Sequence, residues 1–327
     1  MHRDLLSILI CPICGHDAPL GLKADVERGE DVVEGSLHCA GCGKAWPVVR
    51  SVPRFVSSRS NYADNFSFEW NRWGRVQMDR FAGHTLSTDR FIRDSRWDRN
   101  WMEGKLILDA GCGAGRFADV AASQGARVVA VDLSAAVDAC RINTADHGDR
   151  VQVVQASFYA MPFRQNVFDG LYCMGVIQHT PDPEKTMRFL PRHLKAGGRL
   201  VYNWYEVCLE SKFQPIKYAL RLITPFLPHK INHGLAALLT TLFFPITWAL
   251  HFIPKLRLLN IAMPICASHN QSLTIKQQFI WTLLDTFDWY SPRYENRQRK
   301  ETVKRVLMEE GLLEVEVADG LAWALKG

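Results

Sequence analysis

The chain has 327 residues, 47% of them apolar and 22% charged. That balance belongs to a globular protein and excludes a disordered chain, a collagen or a coiled coil, and the length suits two compact units or one domain with appendages. The net charge of +5 is uneven: residues 206–284 carry seven Lys+Arg against two Asp+Glu, whereas residues 1–60 carry seven of each, which argues against a phosphate-binding face in that first segment.

The first ten residues hold an apolar run broken by Ser7, and they lead into Cys11-Pro12 with no small-residue cleavage site. A secretory signal is therefore not expected. Nine cysteines, an odd number, then point to a reducing, cytoplasmic setting and away from a complete disulfide framework. Four of them form Cys11-Pro12-Ile13-Cys14 and Cys39-Ala40-Gly41-Cys42, with 24 residues between the pairs. Each CxxC knuckle can offer two thiolates to one ion, and two knuckles give the tetrahedral S4 set that structural zinc prefers. Such a site has no open position, so the expected Zn2+ is structural and its binding energy substitutes for a core too small to fold alone. Leu5 to Cys14, Leu37 to Val48 and Val52 to Phe55 resemble the small zinc-ribbon activator proteins that partner methyltransferases, here joined in cis. The ribbon is assigned to residues 1–56. Cys112, Cys140, Cys173, Cys208 and Cys266 read as scattered, small core residues.

Residues 57–103 are rich in arginine and in aromatics, from Phe66 and Phe68 to Trp97 and Trp101. Stacking on RNA bases is one use of that pairing. Nearby acids nearly cancel the charge, so a helical lid or linker is expected instead.

Residues 104–205 read as the cofactor core. Lys105 to Ala110 is a buried strand, Gly111-Cys112-Gly113-Ala114-Gly115 is a glycine turn, Phe117 to Gln124 is a helix, and Arg127 to Val131 is a second strand ending at Asp132. Strand, glycine turn, helix, strand and acid form the first βαβ unit of a nucleotide-binding sheet. Glycine lets the backbone approach a ligand, and an acid at the second strand's end can accept both ribose hydroxyls. The turn lacks GxGxxG spacing, and Asp109 before it would repel a pyrophosphate but welcome an ammonium. Together "LDAGCGAGRF" and "VVAVDLS" resemble the class I S-adenosylmethionine-dependent methyltransferases, close to the small-molecule and quinone enzymes. Val151 to Ser157, Met161-Pro162-Phe163, Val167 to Thr180 and Leu194 to Val201 continue that pattern, and residues 299–327 close the sheet with a helix and a strand over Leu312 to Val317. The resemblance implies an α/β, Rossmann-like, doubly wound seven-stranded sheet. It implies that Asp109, Gly111 and Gly113 face the methionine part of S-adenosyl-L-methionine, with Cys112 and Gly115 completing the loop. Asp132 would bind ribose, Leu133 would pack on adenine, Ser157 and Phe158 would flank the adenine edge, and Gly175 would lie beside the sulfonium. Serine at 157 and glutamine at 178 depart from the acid and the histidine common in the family.

Residues 206–298 are a helical insertion after the fifth strand. Ile231 to Pro254 contains no Asp, Glu, Lys or Arg, and Lys212, Lys217, Arg221, Lys230, Lys255 and Arg257 flank it. A buried helical cap is the first reading. A membrane-surface element over 212–257, at the inner face of a membrane, and a transmembrane helix are the others. Asp285 to Tyr294 is expected to line an acceptor pocket. Methyl transfer needs in-line positioning, plus a base when the nucleophile carries a proton. His179 is the candidate base, with Tyr290 and Asp288 behind it. The function expected is methylation, at O or C, of a small-molecule or lipid-like acceptor. An RNA methyltransferase guided by the ribbon and a non-catalytic ribbon scaffold with a vestigial cofactor fold are the alternatives.

Overall fold

The computed structural model describes residues 1–15, 18–56, 61–207, 214–253 and 255–327, together with the backbone but not the side chain of Arg257. Cys208 and Lys212 lie outside the described residues.

The ribbon is a four-stranded antiparallel sheet, β1 (Leu20–Arg28), β2 (Asp31–Cys39), β3 (Ala45–Val49) and β4 (Val52–Pro53), paired in chain order. Four helices follow: α1 (Asp64–Trp73), α2 (Asp79–Ala82), α3 (Leu86–Ser95) and α4 (Arg99–Met102). The main sheet then starts, with β5 (Leu106–Ala110), α5 (Arg116–Ser123), β6 (Arg127–Asp132), α6 (Ala136–Asn143), β7 (Val151–Gln155), β8 (Phe168–Met174), α7 (Pro183–Phe189) and β9 (Leu194–Asn203). The insertion supplies α8 (Pro215–Leu220), α9 (His229–His251) and α10 (Ile275–Tyr290), and the chain ends with α11 (Lys300–Glu309), β10 (Leu312–Ala318) and β11 (Leu321–Lys326).

The sheet order is β10-β11-β9-β8-β5-β6-β7, with β11 antiparallel to both of its neighbours and the remaining pairs parallel. Strands such as β5, where four of five residues are buried, and β6 are apolar along most of their length because helices cover both faces. The expected C-terminal strand is half of a hairpin. The order reverses between β5 and β8, and this switch point is where an open α/β sheet leaves a crevice at its carboxyl edge.

The ribbon does not stand apart from this sheet. Leu9, Val48 and Phe55 share one core with Val154, Ala156 and Phe163. Backbone bonds join the two across the β7 edge: Phe55 N donates to Gln155 O at 2.8 Å and Ile10 N donates to Pro162 O at 2.9 Å. The ribbon thus covers an edge strand that would otherwise expose unpaired donors and acceptors.

The aromatics of 57–103 divide by position. Phe66 and Trp70 of α1 face the crevice. Trp97 and Trp101 pack on the far side of β8, where a Cβ on Gly170 would meet their rings at 2.8–3.0 Å. Of the insertion, α10 is largely buried and lines the crevice as a cap would, whereas α9 is buried on one stripe only. In α9 only 22% of the most apolar 18-residue window is buried, and Leu238, Leu242 and Ile246 are 46–56% exposed.

Candidate active site

The loops that leave β5 and β8 enclose a cavity of about 320 Å³. Its floor is the glycine turn. Gly111 (φ +89°) and Gly113 (φ +50°) hold backbone conformations that side chains rarely adopt, and neither has room for one. A Cβ on Gly111 would stand 2.5 Å from Val176 Cγ2, and one on Gly113 would stand 3.0 Å from Trp70 Nε1. The α1 helix therefore lies directly over the turn. Gly175 (φ +74°) is also on the wall, with open space where a Cβ would be. Cys112, Leu133 and Phe158 complete this side of the cavity.

Asp132 fixes the turn. Its Oδ2 accepts from Gly113 N at 3.0 Å, and its Oδ1 accepts from Ser134 N at 2.8 Å and Ser134 Oγ at 2.7 Å. A carboxylate has about four acceptor sites, so capacity remains for ligand hydroxyls. Burial pushes this carboxyl above its ordinary value, and the bonds from Ser134 and Gly113 oppose the rise.

Four expected site residues are placed otherwise. Asp109 lies beneath the turn, not on the cavity wall. Its Oδ2 has no partner, and burial raises its carboxyl to about 8, so it is largely protonated at neutral pH. Gly115 (φ +90°) faces α6: a Cβ there would meet Cys140 Sγ at 2.9 Å, so this glycine serves helix packing. Ser157 Oγ accepts from Tyr159 N at 3.2 Å as the cap of a short 3-10 helix and is not on the wall. Tyr290 points away, its hydroxyl donating to Pro264 O at 2.8 Å.

Helical geometry explains the last case. Asp285, Asp288 and Trp289 of α10 follow i, i+3, i+4 spacing and share the face that lines the cavity, while Tyr290 is rotated past it. Asp285 is raised to about 7 by burial and then by Asp288. Burial also raises Asp288, whose Oδ1 has no partner. Glu69 of α1 stands on the same wall, fully buried with both carboxyl oxygens unpartnered, and burial followed by the two aspartates holds it well above the ordinary carboxylate range.

His179 is on the wall between Phe66 (ring centroids 5.2 Å apart) and Tyr205 (5.6 Å). Its Nδ1 lies 2.9 Å from Tyr294 O. A carbonyl only accepts, so Nδ1 carries a proton, and the neutral tautomer that this bond selects has its lone pair on Nε2. Nε2 is buried and unpartnered.

Two arginines were not anticipated. Arg116, the residue after the last turn glycine, reaches the wall with its Nε donating to Ser87 Oγ at 2.8 Å and its Nη1 donating to Gln77 Oε1 at 2.9 Å. Burial, then the charge of Arg90, lowers it to about 9, so it stays cationic at neutral pH. Arg90 is also on the wall. The position of Arg116 after the turn was a legible signal, whereas Glu69 and Arg90 come from helices whose approach no local pattern announces.

In the ribbon, the Sγ atoms of Cys11, Cys14, Cys39 and Cys42 all lie within 4.8 Å of one another and could hold one metal ion. Cys14 N donates to Cys11 Sγ at 3.4 Å, and Gly15 and Gly43 turn the knuckles at φ +81° and +69°. Arg54, just past β4, links this module to the cavity. Its guanidinium donates to Gln155 Oε1 at 3.0 Å, and Gln155 Nε2 donates to Leu133 O at 3.0 Å.

Residues 108–202 match the family described as "Methyltransferase domain", and residues 2–51 match the one described as "Trm112p-like protein". A protein named ubiquinone biosynthesis O-methyltransferase from Xanthomonas euvesicatoria pv. vesicatoria (strain 85-10) is 32% identical over 139 residues, covering 42% of this chain and 57% of that protein. One of the same name from Xylella fastidiosa (strain 9a5c) is 34% identical over 144 residues, covering 43% and 58%. The chain thus spans less than two thirds of the length of these relatives. Among solved structures, magnesium protoporphyrin IX methyltransferase from Synechocystis PCC 6803 aligns over 81% of this chain and 97% of its own at 14% identity and a TM-score of 0.45. Over residues 108–202 the chain is thus similar to methyltransferase domains, and over residues 2–51 to Trm112-like proteins.

Proposed function

We propose that this chain methylates a hydroxyl, or an activated carbon beside one, on a small lipid-like acceptor. The observation that carries the reading is His179, whose Nδ1 is engaged by Tyr294 O and whose Nε2 is buried and unpartnered at the wall of a cavity built around the glycine turn. The residues present fit S-adenosylmethionine. Asp132 offers acceptors for ribose hydroxyls, Leu133 and Phe158 offer apolar surface for adenine, and Arg116 offers a cation for the methionine carboxylate. When bound, the cofactor supplies an electrophilic methyl group. The chain's own contribution is placement and proton removal. Phe66, Trp70, Tyr205 and Trp289 present an apolar wall for the acceptor, and α1 excludes water above the turn. His179 Nε2 accepts the acceptor's proton, while the Nδ1 bond to Tyr294 O holds the ring in that tautomer. The relatives' printed name, O-methyltransferase, agrees with a hydroxyl acceptor. We assign the four ribbon thiols to structural Zn2+, since the set is all-sulfur and closed. We place the chain in the cytoplasm, where reduced thiols persist; all eight described cysteines are free.

The test begins with calorimetric titration of the purified protein with S-adenosylmethionine, followed by turnover assays on lipophilic phenols and lipid extracts. His179→Gln is expected to leave cofactor affinity unchanged and to lower kcat by about 10²–10⁴-fold. Full turnover in that variant would remove His179 from the chemistry. A folded protein that does not bind the cofactor would return the scaffold reading to first place.

A further inference from the structure

Helix α9 is inside out. A surface helix normally buries its apolar stripe and shows its polar one. Here the buried stripe is Asn232, Ala236, Thr240, Phe244 and Thr247, three of the five polar. Asn232 Nδ2 donates to Thr224 O at 2.7 Å and Thr247 Oγ1 donates to Phe244 O at 3.0 Å, whereas Asn232 Oδ1 and Thr240 Oγ1 are buried without a partner. The outward stripe is Ile231, Leu238, Leu242 and Ile246, each 46–56% exposed and repeating every three to four residues or a multiple of it. It runs for roughly 22 Å along the helix. The apolar surface continues beyond both ends. Leu222 and Phe226 before α9, and Phe252 and Leu258 after it, are all more than half exposed.

The charge around this stripe is one-sided. Residues 214–284 contain six Lys+Arg and no Asp or Glu. Lys217 and Arg221 are used inward: Lys217 Nζ pairs with Glu295 at 3.0 Å, and Arg221 donates to Trp289 O at 2.7 Å and Pro292 O at 3.1 Å. Lys230 and Lys255, toward the two ends of the stripe, are exposed. An apolar stripe with exposed lysines toward its ends, in a segment (214–284) without Asp or Glu, complements hydrocarbon beneath an anionic headgroup layer.

We propose that α9, with the exposed Leu222, Phe226, Phe252 and Leu258 that flank it, docks in the plane of an anionic lipid surface as a monotopic element. At 23 residues α9 has the length and hydropathy to cross a bilayer, but its inward stripe is committed. Ala236 packs with Trp73, Leu284 and Phe287, and Trp73 shares α1 with Trp70 on the cavity wall, so a spanning helix would strip that wall's support. Docking needs no bound cofactor and stands independently of methyl transfer.

The test is sedimentation of the full chain with vesicles of pure phosphatidylcholine or of phosphatidylcholine with phosphatidylglycerol. Two exposed lysines predict partitioning onto the anionic vesicles that is tighter by about tenfold or more and that weakens with salt. Leu238→Ser/Leu242→Ser/Ile246→Ser is expected to lose at least that much while keeping its unfolding temperature and cofactor affinity, because all three sites are exposed. Lys230→Glu/Lys255→Glu is expected to weaken binding to the anionic vesicles only. Three results overturn the proposal: no vesicle binding by protein that binds cofactor, resistance to alkaline carbonate extraction (a spanning helix), or a dimer in solution abolished by the triple serine variant (a second copy on the stripe). Vesicle binding without cofactor binding would leave docking standing and sink the methyl-transfer reading alone.

Discussion

Replacing Gly111 by alanine tests the site's construction at its tightest point. Two costs are expected. At φ +89° the added Cβ strains the backbone by about 1–2 kcal/mol. The same atom would stand 2.5, 2.7 and 3.0 Å from Val176 Cγ2, Cγ1 and Cβ, and relieving such overpacking costs about 1–3 kcal/mol. Val176 cannot withdraw freely, since its carbonyl accepts from His179 N at 2.8 Å and it packs against the buried core. The sum, about 2–5 kcal/mol, corresponds to roughly 4–20 °C in Tm for a domain of this size. Val176→Ala in the same chain removes the two shortest contacts and leaves the φ strain. A double-mutant cycle by urea denaturation should therefore show favourable coupling of about 1–3 kcal/mol. Cofactor calorimetry on each variant should show affinity lost in Gly111→Ala and partly regained in the double variant. Coupling within error of zero would mean that the two loops are not in contact as described, and a Gly111→Ala protein of unchanged stability would refute the backbone argument as well.

Two further outcomes follow from the geometry. Because the ribbon shares its core with β7, stripping metal with a chelator or replacing Cys39 by serine should lower one cooperative unfolding transition and also weaken cofactor binding through the Arg54–Gln155–Leu133 link; an early, separate ribbon transition with unchanged affinity would contradict this. Asp109 has its carboxyl raised from an ordinary 3.8 to about 8 by burial, so folding takes up a proton between those values, and its contribution to stability falls as pH rises through that window, by at most about 1.4 kcal/mol per pH unit. Asp109→Asn should remove this slope, gaining on the wild type in urea unfolding from pH 6 to pH 8; a difference independent of pH would show that the native carboxyl is not held neutral.

Whatever depends on local spacing was legible in the amino acids alone. The CxxC pairs, the glycine turn between two apolar strands and the acid at the end of β6 each encode their geometry within a few residues, and with them the ribbon and the first βαβ unit, while the full doubly wound sheet followed from the family resemblance. Within the site, Cys112 stands in the turn and Leu133 directly follows Asp132, so both were legible for the same reason, whereas Phe158 was placed by the family resemblance. Tertiary packing decided which side chains face inward. Tyr290 and Asp288 are two residues apart on one helix, and only the packing of α10 shows that Asp288 meets the cavity while Tyr290 meets Pro264. Glu69, Arg90 and Trp70 come from the lid helices, and nothing local marks them as neighbours of a turn some 20 to 45 residues further along the chain. The same holds for α9. Its composition is apolar on nearly every side, so the amino acids could not say which stripe would be buried. Packing chose the stripe bearing Asn232, Ala236, Thr240 and Thr247, where Ala236 meets Trp73 of α1 and Leu284 and Phe287 of α10, and left Leu238, Leu242 and Ile246 facing out.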